Sequence, residues 1–228
     1  MNEKNINSNQ EDTNVPCIPL VDYLHITKES VCFIKNNLHE EIDTSIYVTF
    51  CNFLYTVDSV YDEKHFTIWN SNTLFHNEFQ ISQLIIKKLN NEYNFSLNTN
   101  HAAKITKLII AAKFSFSLED TDKMLIMMLE ICKLVKYKFM SGFASYSVTL
   151  HSFIEHIKFL AQRILTNTKS FSNTEEWDEP FIKKYHLAYD CAQNIRFFIH
   201  KKYDFILTQT EILFLTIHIH LLVYRAKN

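Results

Sequence analysis

Two histidines, His156 and His218, are the residues of this chain whose surroundings best suit chemistry. Each lies in an apolar segment that also carries a carboxylate: Glu155 directly precedes His156, and Glu211 opens the segment that contains His218. An imidazole ring is nucleophilic near neutral pH, so both positions are candidates for a reactive site. A histidine on an apolar helix face is more often a structural residue of a core or of its boundary, and this interpretation stays open beside the reactive one.

The sequence argues against most other kinds of active site. His218 and His220 are two residues apart and face different ways on a helix, and no H-E-x-x-H motif or close cysteine pair supplies metal ligands. A glycine-rich phosphate-binding loop cannot form from a single glycine, Gly142. Motifs for a serine or cysteine nucleophile are absent, which leaves a serine site assembled from distant segments as a minor alternative. We therefore expect neither a metal nor a cofactor.

The composition limits the partners of the chain. The 23 basic and 25 acidic residues give a formal net charge of −2, so there is no basic surplus for direct binding to nucleic acid. No uncharged apolar run is long enough to span a membrane, and no secretory signal opens the chain. The five cysteines are scattered and odd in number, which is typical of reduced thiols, buried as small apolar side chains, in a cytoplasmic protein.

The spacing of apolar residues predicts an all-α fold. One glycine and three prolines are too few for the many tight turns of a sheet-rich fold of this size. A stripe of methionines from Met124 to Met128 fits a core better than a pliable interface. Helices are expected in the following segments: from a cap at Thr27, from Asp43 or Thr44, from Phe79 through Leu84 to Leu89, from Ala102 to Ile109, along the methionine stripe, from about Ser145, from Tyr185 to Lys201 and from Thr208 to Val223. A break at Ser141–Gly142 and a loop over 166–176 separate the later helices.

A faint internal duplication divides the chain. Four residues recur with the same identity 110 positions later: Tyr93, Phe95, Leu97 and Thr106 return as Tyr203, Phe205, Leu207 and Thr216. A period this long indicates two similar domains in tandem, not a short-repeat solenoid. We expect a disordered tail over residues 1–16, a first helical domain over 17–114 and a second over 115–228.

The two histidine segments resemble the PTS regulation domain of bacterial antiterminators and activators of sugar operons. The first reads Glu155–His156–Ile–x–Phe and ends in Arg163, with Glu in place of the Asp expected in this family. The second reads Glu-Ile-x-x-Leu-x-x-His and runs from Glu211 to His218. The resemblance covers about 141–223 well and, through the duplication, extends weakly to 44–112.

This resemblance implies a fold, a function and a set of site residues. The fold is two tandem helical bundles of the PTS regulation domain type. His156 and His218 would accept phosphate from the phosphocarrier HPr or from enzyme II components, with Glu155, Arg163 and Glu211 in supporting roles. The domain does not catalyse this transfer alone, so it is not an enzyme. The implied function is a transcription-regulatory sensor for carbohydrate-linked genes, and the alternative is a helical scaffold that is not phosphorylated.

The first copy departs from the family at both histidine positions. Phe53 aligns with His156, or Asn52 after a shift of one residue, and Leu108 replaces His218. At the same offset His101 takes the place of Glu211. We therefore expect the first domain to support or dimerise and the second to sense.

We expect no nucleic-acid-binding domain of the kind that members of this family carry, because the tail before the first helix is too short to form one. We expect the chain to act as a homodimer or together with another regulator. Direct RNA binding by the helices is a weaker alternative, because the net charge is close to zero.

Overall fold

A computed structural model describes residues 20–57, 67–139, 148–168 and 179–225, and within these ranges the chain is helical with no strand. The all-α prediction is confirmed. The first half contributes α1 (Leu20–Leu38), α2 (Ser45–Tyr55), α3 (Ile68–Leu74), α4 (His76–Tyr93) and α5 (Thr99–Phe114). The second half contributes α6 (Leu118–Phe139), α7 (Val148–Leu165), α8 (Glu179–Lys184), α9 (His186–Tyr203) and α10 (Gln209–Arg225). No helix in these ranges is both long and apolar enough to cross a bilayer.

The two halves repeat the same order of five helices, as the duplication predicts. Both α4 and α9 are 18 residues long. They end at Asn94 and Asp204, which are 110 positions apart and both left-handed, with φ of 56° and 50°. Asn and Asp tolerate this conformation better than most residues, so the same sharp turn leads into α5 and α10.

The helices after this turn begin with the same type of cap. In α5 the side chain of Asn98 accepts from the backbone while the ring of His101 accepts from the backbone N–H of Asn98 at 3.0 Å. In α10 the N–H of Thr208 donates to the carboxylate of Glu211 at 2.6 Å, and the N–H of Glu211 donates to the Thr208 hydroxyl at 3.3 Å. Each is a capping box, which satisfies backbone donors that the first turn leaves free.

The residues that recur with the same identity are mostly core positions. Phe95 and Phe205 are buried, as are Leu97 and Leu207. The Thr106 and Thr216 hydroxyls, both fully buried, donate to carbonyl oxygens one turn back in their own helices. Burial of these positions explains why the two copies keep the same residues there.

Two hydrophobic clusters fill the two bundles. The first is built from helices α1, α2, α4 and α5. The second contains the methionine stripe of α6, all of it fully buried, so the prediction that these methionines form a core is confirmed. Three residues from the first half of the chain also belong to the second cluster: Leu74, Phe75 and Ile110. The domain boundaries at 17–114 and 115–228 stay predictions, and the tail over 1–16 lies outside the described residues.

Charged groups surround the point where Phe75 enters the second bundle. Nζ of Lys158 in α7 lies 5.1 Å from the centre of the Phe75 ring. Nζ of Lys113 lies 3.1 Å from the buried carboxylate of Glu78. Burial favours the neutral acid, but the charges of Lys158 and Lys113 outweigh it and hold the pKa of Glu78 below its ordinary value. The two bundles thus meet at the ring of Phe75 and at the buried carboxylate of Glu78, whose charge is balanced by Lys158 and Lys113.

Several local expectations were wrong. Thr27 lies inside α1 instead of capping it, because the helix begins at Leu20. Leu84 was expected to face the core but is exposed. The short helices α3 and α8 were not predicted, since six or seven residues carry too little periodicity to detect. The break at Ser141–Gly142 and most of the loop over 166–176 lie outside the described residues.

The cysteines only partly follow the expectation of burial. Four of them lie in the described ranges, all as free thiols. Cys191 is buried in the second core, but Cys32 is exposed on α1. Burial of a small apolar side chain therefore accounts for Cys191 and not for Cys32.

We predict that Phe75→Ala lowers the free energy of unfolding by about 3–5 kcal/mol, because it leaves a ring-sized cavity in the second core and removes the ring beneath Lys158. Urea denaturation followed by circular dichroism measures this change. Phe159→Ala is the matched control: Phe159 is exposed on α7, so its loss should change stability by less than about 0.5 kcal/mol. Equal effects of the two substitutions would contradict the role given to Phe75.

Candidate functional site

The candidate site lies where α7 and α10 pack against each other in antiparallel directions. Near the end of α7, Nη1 of Arg163 forms an ion pair with Oε1 of Glu211 at the start of α10. Near the start of α7, Ser152 reaches His218, two turns further along α10. The two helices therefore bring together four residues of the two histidine motifs: His156, Arg163, Glu211 and His218.

His156 and His218 form a stacked pair. Their ring centroids are 4.9 Å apart and their planes are inclined by 25°. Phe214, one turn before His218 on the same face of α10, also contacts the His156 ring, with centroids 5.9 Å apart. The His156 ring thus lies against two rings of α10.

The His156 ring is held in its neutral form. Its Nε2 atom is buried and has no hydrogen-bond partner among the described residues. Burial, the neighbouring His218 ring and the positive charge of Arg163 together lower the pKa of His156 to about 4. A neutral imidazole keeps an unprotonated nitrogen, which a nucleophile requires.

His218 is the more open member of the pair. It is half-buried, and burial lowers its pKa from the ordinary value. Its Nδ1 lies 3.4 Å from the hydroxyl of Ser152, a long hydrogen bond across the two helices. In the tautomer whose Nδ1–H donates to Ser152, Nε2 of His218 is the unprotonated nitrogen.

Arg163 and Glu211 form a partly closed charge pair beside the rings. Glu211 is almost fully buried, and its second oxygen accepts from both the N–H and the hydroxyl of Thr208. Nη2 of Arg163 is buried without a hydrogen-bond partner in the described ranges. Glu211 therefore has two structural tasks, as helix cap and as counter-charge, and Arg163 keeps one donor unused.

Glu155 is engaged on another side. Its carboxylate accepts a hydrogen bond from Nζ of Lys158 at 2.6 Å. Because Lys158 also covers Phe75, Glu155 is linked to the junction between the bundles. Its predicted role beside the His156 ring stays a prediction.

The remaining histidines of this bundle lie outside the stack. His151 and His200 are exposed, and the ring of His220 contacts Tyr185 at 4.6 Å. No group of three or more His, Cys, Asp or Glu side chains suited to a metal ion occurs in the described part of the chain.

The contacts of the first bundle overturn the alignment of Phe53 with His156. Phe53 packs against His101, with ring centroids 6.4 Å apart, and His101 is the counterpart of Glu211. Since Arg163 is the α7 residue that contacts Glu211, Phe53 corresponds to Arg163. The error arose because α2 has 11 residues and α7 has 18, so the alignment had little to fix its register.

The corrected alignment still leaves the first bundle without histidines at the stack. Arg163 follows His156 by seven residues, and the residue seven before Phe53 is Ile46. Ile46 and Leu108, the counterpart of His218, are both buried apolar residues. The first copy therefore has apolar packing at the two positions that carry imidazoles in the second.

Three contact residues of the site were missed at the sequence level: Ser152, Lys158 and Phe214. Phe214 alone carried a signal, since it precedes His218 by four residues and must share its helix face. Ser152 and Lys158 contact residues on other elements, and those contacts depend on how the helices pack.

We predict that Glu211→Ala lowers the free energy of unfolding by about 3 kcal/mol, because it removes the cap and leaves Arg163 partly buried without its counter-charge. The matched control Thr208→Ala removes one cap hydroxyl and should cost about 1 kcal/mol. Urea denaturation at neutral pH compares the two. A Glu211→Ala effect no larger than that of Thr208→Ala would show that the ion pair contributes nothing to stability.

The low pKa of His156 predicts a loss of stability in mild acid. The folded pKa of about 4 lies below the reference value of 6.5, so between these pH values the unfolded chain binds a proton that the folded chain does not. The free energy of unfolding should fall by up to about 1.4 kcal/mol per pH unit as the pH drops through this window. His156→Gln should have a shallower slope between pH 6.5 and 5 in urea unfolding, and an unchanged slope would contradict the buried neutral ring.

Part of the second half of the chain is similar to a known regulatory domain. Residues 129–222 match the PRD domain, that is, the PTS regulation domain. The chain is 28% identical over 210 residues to the transcription antiterminator LicT of Bacillus subtilis (strain 168), covering 90% of this chain and 76% of that protein. It is also 28% identical over 203 residues to a beta-glucoside operon antiterminator of Dickeya chrysanthemi, covering 83% of this chain and 68% of the relative. The stacked histidines lie inside the segment that matches the PRD domain.

Proposed function

We propose that this chain is a transcription-regulatory sensor module whose second bundle is phosphorylated on the stacked histidines by the sugar phosphotransferase system. The observation that carries this proposal is the pair itself: two neutral imidazoles, 4.9 Å apart, on facing helices of the segment matched to the PRD domain. The relatives named as antiterminators support the regulatory class. The donor is HPr or an enzyme II component, and the module works in the cytoplasm.

The proposed transfer balances simply. The N–P bond of a phosphohistidine on the donor breaks, and an unprotonated ring nitrogen of His156 or His218 forms the new N–P bond. The acceptor ring releases its remaining proton, and the donor ring takes up a proton as it leaves. This chain supplies the acceptor and its surroundings and no catalyst, so we do not regard it as an enzyme.

Phosphorylation would change the packing of α7 against α10. The added phosphoryl group puts close to two negative charges on a flat, neutral ring in a half-buried position. The carboxylate of Glu211 lies at the same helix interface and would repel it, while Arg163 would attract it. Arg163 pairs with Glu211 through Nη1 and has Nη2 unused, so the new anion would compete for or share this cation. This interface is therefore the element that phosphorylation would bias.

The change in packing would affect transcription through an interface with a second chain, either a copy of this one or another regulator. The first bundle supports this role because Ile46 and Leu108 fill its equivalent positions with apolar side chains. The first bundle would therefore keep the same surface for the second chain, while phosphorylation changes the packing of the second bundle. Large apolar side chains such as Tyr55 and Phe197 are exposed and provide contact area.

The alternative is a scaffold protein that is never phosphorylated. The observation that favours it is the buried Nε2 of His156, which a donor protein cannot reach while the ring stays stacked. Both rings are half-buried, and the nitrogens of His218 are not closed off in this way, which argues for the sensor.

We predict that the purified protein becomes phosphorylated when it is incubated with enzyme I, HPr and phosphoenolpyruvate, alone or with candidate enzyme II domains. Acid-labile phosphate should map to His156 or His218 by mass spectrometry under neutral conditions, because these rings are neutral and one of them is accessible. His156→Ala and His218→Ala test each position, and the double substitution should abolish labelling. His151→Ala, an exposed histidine on the same helix, is the control and should leave labelling unchanged.

Phosphate that persists in the double variant would refute the assignment of the acceptor residues. No phosphate with any protein donor would refute the sensor function and favour the scaffold.

A further inference from the structure

We propose that the two acceptors are used in a fixed order, His218 first, and that Phe214 enforces this order by covering the His156 ring. This inference rests on the proposed function and deepens it, since it concerns the same pair of rings. It assigns a specificity-determining role to a residue at an unspecified position of the second histidine motif.

The two rings differ in the access to their nitrogens. Both side chains are half-buried, but Nε2 of His156 is closed off from solvent and has no hydrogen-bond partner within the described ranges. Phe214 contacts the His156 ring at 5.9 Å and His218 contacts it at 4.9 Å. Because the two α10 residues are one turn apart, they form a continuous cover over a residue of α7.

His218 offers a ring nitrogen that neighbouring side chains do not close off. Ser152 engages its Nδ1, which leaves Nε2 as the free nitrogen on a half-buried ring. A phosphoryl donor can therefore reach His218 without moving a neighbouring side chain, but it can reach Nε2 of His156 only after the cover moves.

Phosphorylation of His218 would make phosphorylation of His156 harder. A phosphoryl group on His218 places close to two negative charges beside the ring of His156. A second phosphoryl group on His156 would then face strong like-charge repulsion in a half-buried site. The arrangement described here holds one phosphoryl group, and a second requires α7 and α10 to separate.

Phe214 is suited to a gating role because its own burial is incomplete. About 46% of its surface is exposed although it is a large apolar residue. A phenylalanine that served packing alone would gain more free energy deeper in the core. Its position over His156 can be lost at little cost to the bundle, so access and stability can be tested separately.

The test uses potassium phosphoramidate, a small chemical donor whose P–N bond breaks with loss of ammonia as the histidine N–P bond forms. Site-resolved mass spectrometry at neutral pH follows labelling of each histidine over time. In the unmodified protein His218 should be labelled before His156. Phe214→Ala should speed labelling of His156 by roughly threefold to tenfold, the factor that one aromatic contact is worth, with little change at His218.

Matched variants separate covering from folding. Phe214→Leu keeps an apolar side chain over the ring and should restore slow labelling of His156. Tyr137→Ala removes an exposed aromatic ring from α6 and should leave both rates unchanged. His218→Phe keeps a ring on His156 without an acceptor, so His156 should stay slow, whereas His218→Ala should make it faster.

Equal labelling of both histidines in the unmodified protein would overturn the proposed order. An unchanged His156 rate in Phe214→Ala would overturn the role of Phe214. Because phosphoramidate needs no protein donor, ordered labelling by it together with no labelling from enzyme I and HPr would refute the sensor function while supporting the order.

Discussion

The ion pair between Arg163 and Glu211 is the interaction on which the candidate site depends. It joins the end of α7 to the start of α10, and Glu211 is held there by its own capping box with Thr208. A helix is rigid over two turns. The contact between Arg163 and Glu211 therefore also determines which residues of α7 and α10 meet two turns away, where His156 stacks on His218. A buried ion pair is seldom a large net source of stability, but it specifies register well. Glu211, the acidic residue of the second motif, thus holds the two helices in register.

The sequence revealed the fold and the candidate residues better than it revealed their contacts. The recurrence of Phe95 as Phe205 reported a repeated core position, and the duplication followed from such pairs. The motifs pointed to His156 and His218 because their spacing is local to one helix. The stack itself depends on how two helices pack, which no single helix encodes, and the same reason explains the wrong register for Phe53. Short helices such as α3 escaped detection because six or seven residues cannot show a period.

The two bundles share some structural features and differ at the positions of the histidine stack. Caps, left-handed turns and buried threonines recur because they determine whether the helices form and meet. The stack positions are free of that requirement, and in the first bundle Ile46 and Leu108 occupy them. Apolar side chains there stabilise the bundle without a desolvation cost. Imidazoles in the second bundle weaken packing and bury a polar atom, a cost that selection for function would explain.

Charge links the stack to the rest of the molecule. In the unmodified protein His156 resists protonation because it is buried beside His218 and the cation of Arg163. A phosphoryl dianion on His218 would reverse the sign of the local field, and the same ring would then gain stability as an imidazolium. Glu155 would feel the same field one residue away, and it is bonded to Lys158, which lies over Phe75 at the junction of the bundles. Phosphorylation of His218 would therefore be coupled to protonation of His156, and the Glu155–Lys158 pair links the neighbour of His156 to Phe75.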